Sequence, residues 1–363
     1  MDTPSSRLAV VAAGGTGGHL FPAEALAREL QARGWRIVLA TDSRGARYAE
    51  HFPAEERLAL EAATFSPRDP VGVVRGLFRI EAGVRQARAA FQRLRPAVVV
   101  GFGGYPSLPA LLAAKGLHLP RLIHEQNAVL GRVNRFLSPR VNAVACAFPT
   151  LEKAPARLKP VVVGNPVRPE IKALYGQPYA EPGHTLRLLV TGGSQGARIL
   201  SEVVPAALAA LPEPLRLRLV VEQQTRADAV EPVRATYVAA RVEAEVAPFF
   251  GDMAGRLRTA DLVIGRAGAS TVCELATAGR PSILVPFAAA MDDHQTLNAR
   301  LLSDVGAATV IAEPQFTAIR LAEVLQGLVA KPERLSAMAA AAHLAARPDA
   351  AARLADLVEA TAT

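Results

Sequence analysis

Only two cysteines occur in the 363 residues, Cys146 and Cys273. With no other sign of export, a reducing compartment is expected rather than a disulfide framework. No Cys/His cluster has the ligand spacing of a zinc site. No apolar run is long enough for a membrane-spanning helix, and Met1–Arg7 leads straight into an apolar strand without a signal-peptide pattern. Aromatic residues make up 5% of the chain. The basic half lacks interleaved aromatics and any recognised nucleic-acid module, so nucleic acid is not an expected partner. Two phosphate-binding patterns are also missing. No glycine loop matches G-x-G-x-x-G, although Asp42 ends the second expected strand, and none continues into Gly-Lys-Ser/Thr. Asp-x-Asp, the metal–nucleotide clamp, is absent, and Asp292-Asp293 lacks its spacing. No metal and no other cofactor is therefore expected.

What is present is apolar residues, at 50% of the chain, enough for large cores. The length favours two domains. Charge is unevenly placed: residues 1–165 carry 22 Lys and Arg against 12 Asp and Glu, a net of +10. Residues 166–363 carry 19 against 21, a net of −2. A basic half suits an anionic partner such as an acidic membrane surface; a compositional preference for arginine is the plainer alternative.

Apolar runs alternate with helical patterns, which predicts βαβ units and parallel sheets. Strands are expected at Leu8–Ala13, Arg36–Thr41, Ala97–Gly101, Arg121–His124 and Ala143–Ala147. A second set falls at Arg187–Thr191, Arg216–Val221, Leu262–Ile264, Ser282–Val285 and Ala308–Ile311. A strand, a glycine loop and a helix open the chain at Val10–Leu30, and the same order recurs from Leu186 to about Leu211. Two doubly wound domains are predicted, 1–165 and 166–340, with a hinge near Gly164-Asn165-Pro166. The first is completed by 341–363, from an alanine-rich helical stretch at Pro332–Ala360. Ligand is expected in a cleft where the carboxyl ends of the two sheets face each other.

The chemistry concentrates after strands. Gly14-Gly15-Thr16-Gly17-Gly18-His19 offers a bulk-free turn, unpaired helix-start N–H groups and a titratable ring. Gly101–Ser107 ends another strand and carries Tyr105, able to hydrogen-bond a sugar or simply to fill core. His124-Glu125-Gln126-Asn127 is dense in polar groups, with Asn134 and Arg135 one to two helical turns on. Such a set is a site or a self-satisfied network, since buried polar groups must be paired. Around Arg266–Leu275, Ser270 or Thr271 can cap a helix with Glu274 completing a capping box. Alternatively the helix start holds a phosphate and Glu274 a ribose diol. Gln295 and Asn298 share a helix face and can read sugar hydroxyls.

Together these motifs resemble the MurG family, the UDP-GlcNAc-dependent N-acetylglucosaminyltransferases of peptidoglycan synthesis. The matching pieces are GGTGGH (14–19), GGYPS (103–107), HEQN (124–127), Asn134, GNPVR (164–168), GGSQGAR (192–198), the run Arg266–Glu274 and the DDHQ–N cluster. The resemblance implies a GT-B fold, in which two doubly wound Rossmann-like domains face each other across a cleft. It implies inverting transfer of GlcNAc from UDP-GlcNAc to the 4-hydroxyl of the lipid-linked muramoyl-pentapeptide (lipid I), giving lipid II and UDP for cell-wall biogenesis, cell shape and division. The resemblance implies a location on the cytoplasmic face of the plasma (inner) membrane, held peripherally, with other cell-wall synthesis proteins as partners. Donor contacts would come from Arg168, Ser194, Phe250, Arg266, Ala269, Ser270, Thr271 and Glu274, with Gln295 and Asn298 on GlcNAc. Thr16, Gly17, Gly18 and Asn127 would reach the substrates from the other domain, beside Tyr105 and Asn134. Glu222–Arg226 and Ser201 depart from the usual family residues.

For the acceptor proton, His19 is the first choice of general base, with Glu125 orienting it or taking the proton itself. Helix-start amides near Ser194 and Ser270, with Arg266, would stabilise departing UDP. Val71–Ile80 mixes apolar residues with arginines and suits an anionic lipid surface, or else is a core helix with a solvated arginine face. Another UDP-sugar enzyme, such as a glycolipid glycosyltransferase or a UDP-GlcNAc 2-epimerase, and a non-catalytic sugar-nucleotide binder are the competing readings.

Overall fold

The computed structural model describes residues 7–14, 17–42, 45, 52–63, 70–193 and 196–363. The chain divides into two compact units, Met1–Arg168 with Asp349–Thr363, and Pro169–Pro348.

In the first unit the described strands are β1 (Leu8–Ala12), β2 (Arg36–Thr41), β3 (Glu56–Ala59), β4 (Val98–Gly101), β5 (Arg121–Glu125), β6 (Ala143–Cys146) and β7 (Val161–Val162). They form one parallel sheet in the order β3-β2-β1-β4-β5-β6-β7. Strand residues alternate between faces, and both faces are covered. Ala9 and Val11 pack with Leu20, Leu26 and Leu30 of α1 (Gly17–Ala32). Leu8, Val10 and Ala12 pack with Ile80, Ala87 and Phe91 of α2 (Pro70–Leu94) and Leu111 of α3 (Ser107–Gly116). Burial on both sides is why β1 and β4 read as unbroken apolar runs. A short helix, α4 (Arg132–Leu137), follows β5.

The second unit repeats the plan with β8 (Leu186–Thr191), β9 (Leu219–Gln224), β10 (Glu243–Ala247), β11 (Leu262–Gly265), β12 (Ser282–Leu284) and β13 (Ala308–Val310), ordered β10-β9-β8-β11-β12-β13 and all parallel. Its helices are α5 (Pro169–Lys172), α6 (Arg198–Ala209), α7 (Glu213–Arg216), α8 (Val230–Ala239), α9 (Met253–Thr259), α10 (Ala269–Ala278), α11 (His294–Ser303), α12 (Ala318–Val329) and α13 (Pro332–Ala345).

The alanine-rich stretch Pro332–Ala360 forms two helices. Helix α13 stays with the second unit, packing on α10. The chain breaks before Pro348, and α14 (Ala350–Ala362) places Leu354, Ala355 and Val358 in the core of the first unit. Arg33 Nη1 donates to Asp356 and Glu359 at 2.6 and 2.9 Å, and Trp35 Nε1 to Glu359 at 3.0 Å. The return therefore begins at Asp349 rather than at 341. The strand expected at Arg216–Val221 also shifts. Glu213–Arg216 is a helical turn, and the strand runs on through the polar pair Gln223 and Gln224.

Gly279 ends α10 at φ +61°, and a Cβ there would lie 2.3 Å from His343 Nε2 on α13. Gly279→Ala is expected to cost about 2 kcal/mol in left-handed strain and displacement of α13, lowering the melting temperature by roughly 4–8 °C. An unchanged thermal transition would show that α13 yields freely.

Candidate functional site

Open parallel sheets bind ligands at the carboxyl ends of their strands, where the strand order reverses. Both sheets reverse beside their first strand, between β1 and β4 and between β8 and β11. The glycine turns follow these strands: Gly14 and Gly17–Gly18 after β1, Gly103–Gly104 after β4, Gly192–Gly193 after β8 and Gly268 after β11.

In the first unit, Gly18, the second residue of α1, has nothing within 4 Å of a Cβ position, leaving room for a ligand at the backbone. At Gly17 a Cβ would sit 3.0 Å from Phe21. His19 is half-buried on the first turn. Its Nδ1 lies 2.8 Å from Gln126 Oε1, and its Nε2 edge lies over Gly104, whose Cβ position is 3.6 Å from Nε2. Gly103 and Gly104 take φ of +79° and +73°, a conformation that glycine alone adopts without strain. Any side chain at 103 would also press on Asn134 Nδ2, 3.1 Å from the Cβ position.

Glu125 is buried and fully engaged. Its Oε1 accepts from Asn127 N and Nδ2 at 3.0 and 3.2 Å, and its Oε2 from Gly131 N and Asn134 Nδ2 at 3.0 and 2.8 Å. It thus shapes the turn from 127 to 134, and the residue orienting His19 is Gln126, not Glu125. Buried His124 donates from Nε2 to Gly164 O at 2.8 Å. Burial pushes this ring down to about 4, against a smaller opposing pull from the Gly164 carbonyl. Asn165, next in the chain, is 3% exposed, and neither of its amide atoms has a hydrogen-bond partner. Tyr105 lines a cavity of about 490 Å³ with Asp42, Leu60, Glu61, Arg75 and Arg79. Arg168 stacks its guanidinium 4.9 Å from the Phe21 ring of α1. Thr16 lies outside the described residues.

In the second unit, Thr191 Oγ1 donates to Gln224 Oε1 at 2.9 Å and accepts from Gly193 N at 3.2 Å, tying the turn after β8 to β9. Ser194 lies outside the described residues. The two departures from the family pattern meet here, since the hydroxyls of Ser201 and Thr225 hydrogen-bond each other. Helix α10 has Gly268 as N-cap with no side-chain cap. Neither Ser270 nor Thr271 caps it, and Glu274 stands a turn too far along for a capping box. The Ala269, Ser270 and Thr271 amides therefore have no side-chain cap, and the buried Ser270 Oγ has no partner. Phe250 is buried under Arg256, whose Cζ is 3.7 Å from the ring centre.

Two expected sugar or phosphate contacts are otherwise employed. Arg266 is 8% exposed and its guanidinium donates to both carboxylate oxygens of Glu313 at 3.1 Å and to the carbonyls of Val285 and Pro286. It clamps the loop after β12 instead of waiting for a diphosphate. Burial alone would raise the Glu313 carboxyl, but Arg266 and the Ala288 N–H hold it below the usual value. Asn298 is completely buried and donates to Ala267 O at 3.2 Å, so it supports the turn before α10 from beneath. Gln295, half-buried at the start of α11, accepts from Phe287 N at 2.9 Å through Oε1, which turns its NH2 outward from that bond. In the sequence, Gln126 and His124 are only members of a polar string. Their even spacing on a buried strand end was the available signal.

Comparison with known proteins agrees with this layout. Residues 9–146 match the glycosyltransferase family 28 N-terminal domain, and 187–354 match the family 28 C-terminal domain. The UDP-N-acetylglucosamine--N-acetylmuramyl-(pentapeptide) pyrophosphoryl-undecaprenol N-acetylglucosamine transferase of Caulobacter vibrioides (strain NA1000 / CB15N) is 64% identical over 98% of this chain and 99% of that protein. The protein of the same name from Phenylobacterium zucineum is 61% identical over 98% and 99%. A crystal structure of Acinetobacter baumannii MurG superposes with a TM-score of 0.77 at 34% identity, covering 98% of this chain and 99% of that one. The two Rossmann-like units are those of the GT-B class. The chain belongs to glycosyltransferase family 28 and, within it, to the MurG family of N-acetylglucosamine transferases.

Proposed function

We propose that this chain transfers GlcNAc from UDP-GlcNAc to the 4-hydroxyl of undecaprenyl-pyrophosphoryl-MurNAc-pentapeptide, lipid I, with inversion, releasing UDP and giving lipid II. The observation that carries the reading is likeness over 98% of the chain to relatives of that name. The geometry fits it. His19 Nε2 takes the acceptor proton as the oxygen attacks the anomeric carbon. The uncapped amides of Ala269, Ser270 and Thr271, with the unpartnered Ser270 hydroxyl, receive the diphosphate. Glu274 accepts from the ribose diol and Gln295 NH2 donates to the sugar. Gly17, Gly18, Asn127 and the Glu125-held turn up to Asn134 form the acceptor side, with Tyr105 in the cavity beside Arg75 and Arg79. Phe250 and Arg168 border the substrates, and Thr16 and Ser194 keep their places on sequence grounds. Departing UDP is stabilised by backbone amides, so the reaction is assigned no cofactor. Incubating the protein with UDP-[14C]GlcNAc and lipid I should give labelled lipid II. Labelling of a different glycolipid, release of an epimerised UDP-sugar, or binding without turnover would replace this reading.

No described helix is long and apolar enough to cross a membrane. Helix α2 nevertheless exposes Val74, Leu77 and Phe78 by 53, 57 and 69%, with Arg75 and Arg79 beside them. We assign this face to the cytoplasmic leaflet that carries lipid I, apolar groups dipping into the headgroups and arginines meeting anionic lipid. Replacing all three apolar residues by serine is expected to reduce binding to anionic liposomes at least tenfold, roughly 1.4 kcal/mol or more. Turnover of a soluble acceptor should survive. Unchanged liposome binding would move the docking face elsewhere.

A further inference from the structure

We propose that Gln126 is a positioning residue that, through His124, locks His19 into the tautomer with its proton on Nδ1 and a bare lone pair on Nε2. The proposal deepens the transferase reading, because it concerns the group assigned there to the acceptor proton.

The inference follows from donors and acceptors in a chain pinned at its far end. Gly164 O can only accept, so His124 Nε2, 2.8 Å away, carries a hydrogen. His124 is wholly buried, and burial favours its neutral form, so its Nδ1 is bare and must itself accept. The Gln126 atom 3.1 Å from that Nδ1 is therefore the amide nitrogen, which also donates to His124 O at 2.9 Å. Two acceptors, one a backbone carbonyl, thus fix which way the Gln126 amide points. Its Oε1 consequently faces His19, and His19 Nδ1 at 2.8 Å must be the donor. A neutral imidazole with its hydrogen on Nδ1 holds its lone pair on Nε2, the edge that lies over Gly104. In water the free side chain prefers the opposite tautomer, whose Nε2 hydrogen would face the acceptor hydroxyl and leave nothing to take its proton. The same bond to Oε1 persists when Nε2 becomes protonated, so the ring need not turn during the reaction. An amide rather than a carboxylate in this place fixes the ring without adding a negative charge.

Long-range 1H–15N correlation spectra of 15N-histidine-labelled protein read the tautomer directly, with His19 assigned from the spectrum of His19→Gln. Wild-type His19 should show a protonated Nδ1 and a bare Nε2 near neutral pH, and His124 the reverse. Gln126→Met, similar in volume and without hydrogen-bonding amide atoms, should move His19 toward the Nε2–H form. It should also lower kcat by roughly 10-fold or more, part of what a general base contributes, with KM for UDP-GlcNAc near wild type. A wild-type His19 protonated chiefly on Nε2 overturns the proposal whether or not the variant folds. So does a Gln126→Met protein with unchanged kcat. A protein with the Nδ1–H tautomer but no lipid II synthesis would instead overturn the transferase reading and leave the relay standing.

Discussion

His19→Ala should lower kcat with lipid I by roughly 10²–10⁴-fold, the usual contribution of a positioned general base. UDP-GlcNAc binding, followed by calorimetry, should be retained, because the diphosphate and ribose are assigned to the second unit. The size of the loss rests on two observations. His19 is the titratable group at the glycine turn whose ring is held by a single neutral partner, Gln126. The neighbouring carboxylate, Glu125, already accepts four hydrogen bonds from Asn127, Gly131 and Asn134. Taking a proton there would break the set that shapes the turn. A loss smaller than about tenfold is below what removing a general base costs and would pass the proton to another group. Loss of donor binding together with turnover would make His19 a binding residue.

The second large effect is on acid stability. His124 has its folded value at about 4, below the ordinary 6.5. On acidification the unfolded chain therefore takes up the proton first. The contribution is full above pH 6.5 and is lost progressively as the pH falls toward 4, a total of roughly 3 kcal/mol. Trp35 is the only tryptophan of the chain, and it is buried in the same unit as His124. Urea unfolding followed by its fluorescence at pH 7, 5.5 and 4.5 should show the midpoint falling, and His124→Gln should flatten that dependence. A wild-type midpoint independent of pH across this window would mean that His124 is protonated as easily folded as unfolded.

Much of this fold could be read from the sequence because the central strands are buried on both faces. Val98–Gly101 and Leu262–Gly265 are continuous apolar runs, and their ends fall within a residue or so of expectation. The strands without a clear sequence signal are β3, β7 and β10. The first and last are half-exposed edges with the sequences ERLA and EAEVA, and β7 is two residues long. Edge strands keep one side in water and carry charge, so they look like loops. The glycine turns were legible because only glycine serves at Gly103 and Gly104. What sequence could not say is which polar residues were already taken. Arg266 and Asn298 lie in motifs that suggest nucleotide-sugar contacts, yet Arg266 donates to Glu313 and two carbonyls and Asn298 to the Ala267 carbonyl. Only coordinates reveal Glu313 as the partner of Arg266, 47 residues away. Gln126 is inconspicuous for the opposite reason, since an amide in a polar string has no distinctive signature until its two ends are assigned.

The helix at Ala350–Ala362 has a consequence for how the molecule is made. Its Leu354, Ala355 and Val358 complete one side of a sheet whose first strand begins at Leu8. A ribosome must deliver all of residues 169–348 before that helix emerges. The earlier-born sheet thus waits with part of its apolar surface bare while the later-born one can already close its own. Maturation during synthesis runs against chain order, and the first unit to begin is the last to finish.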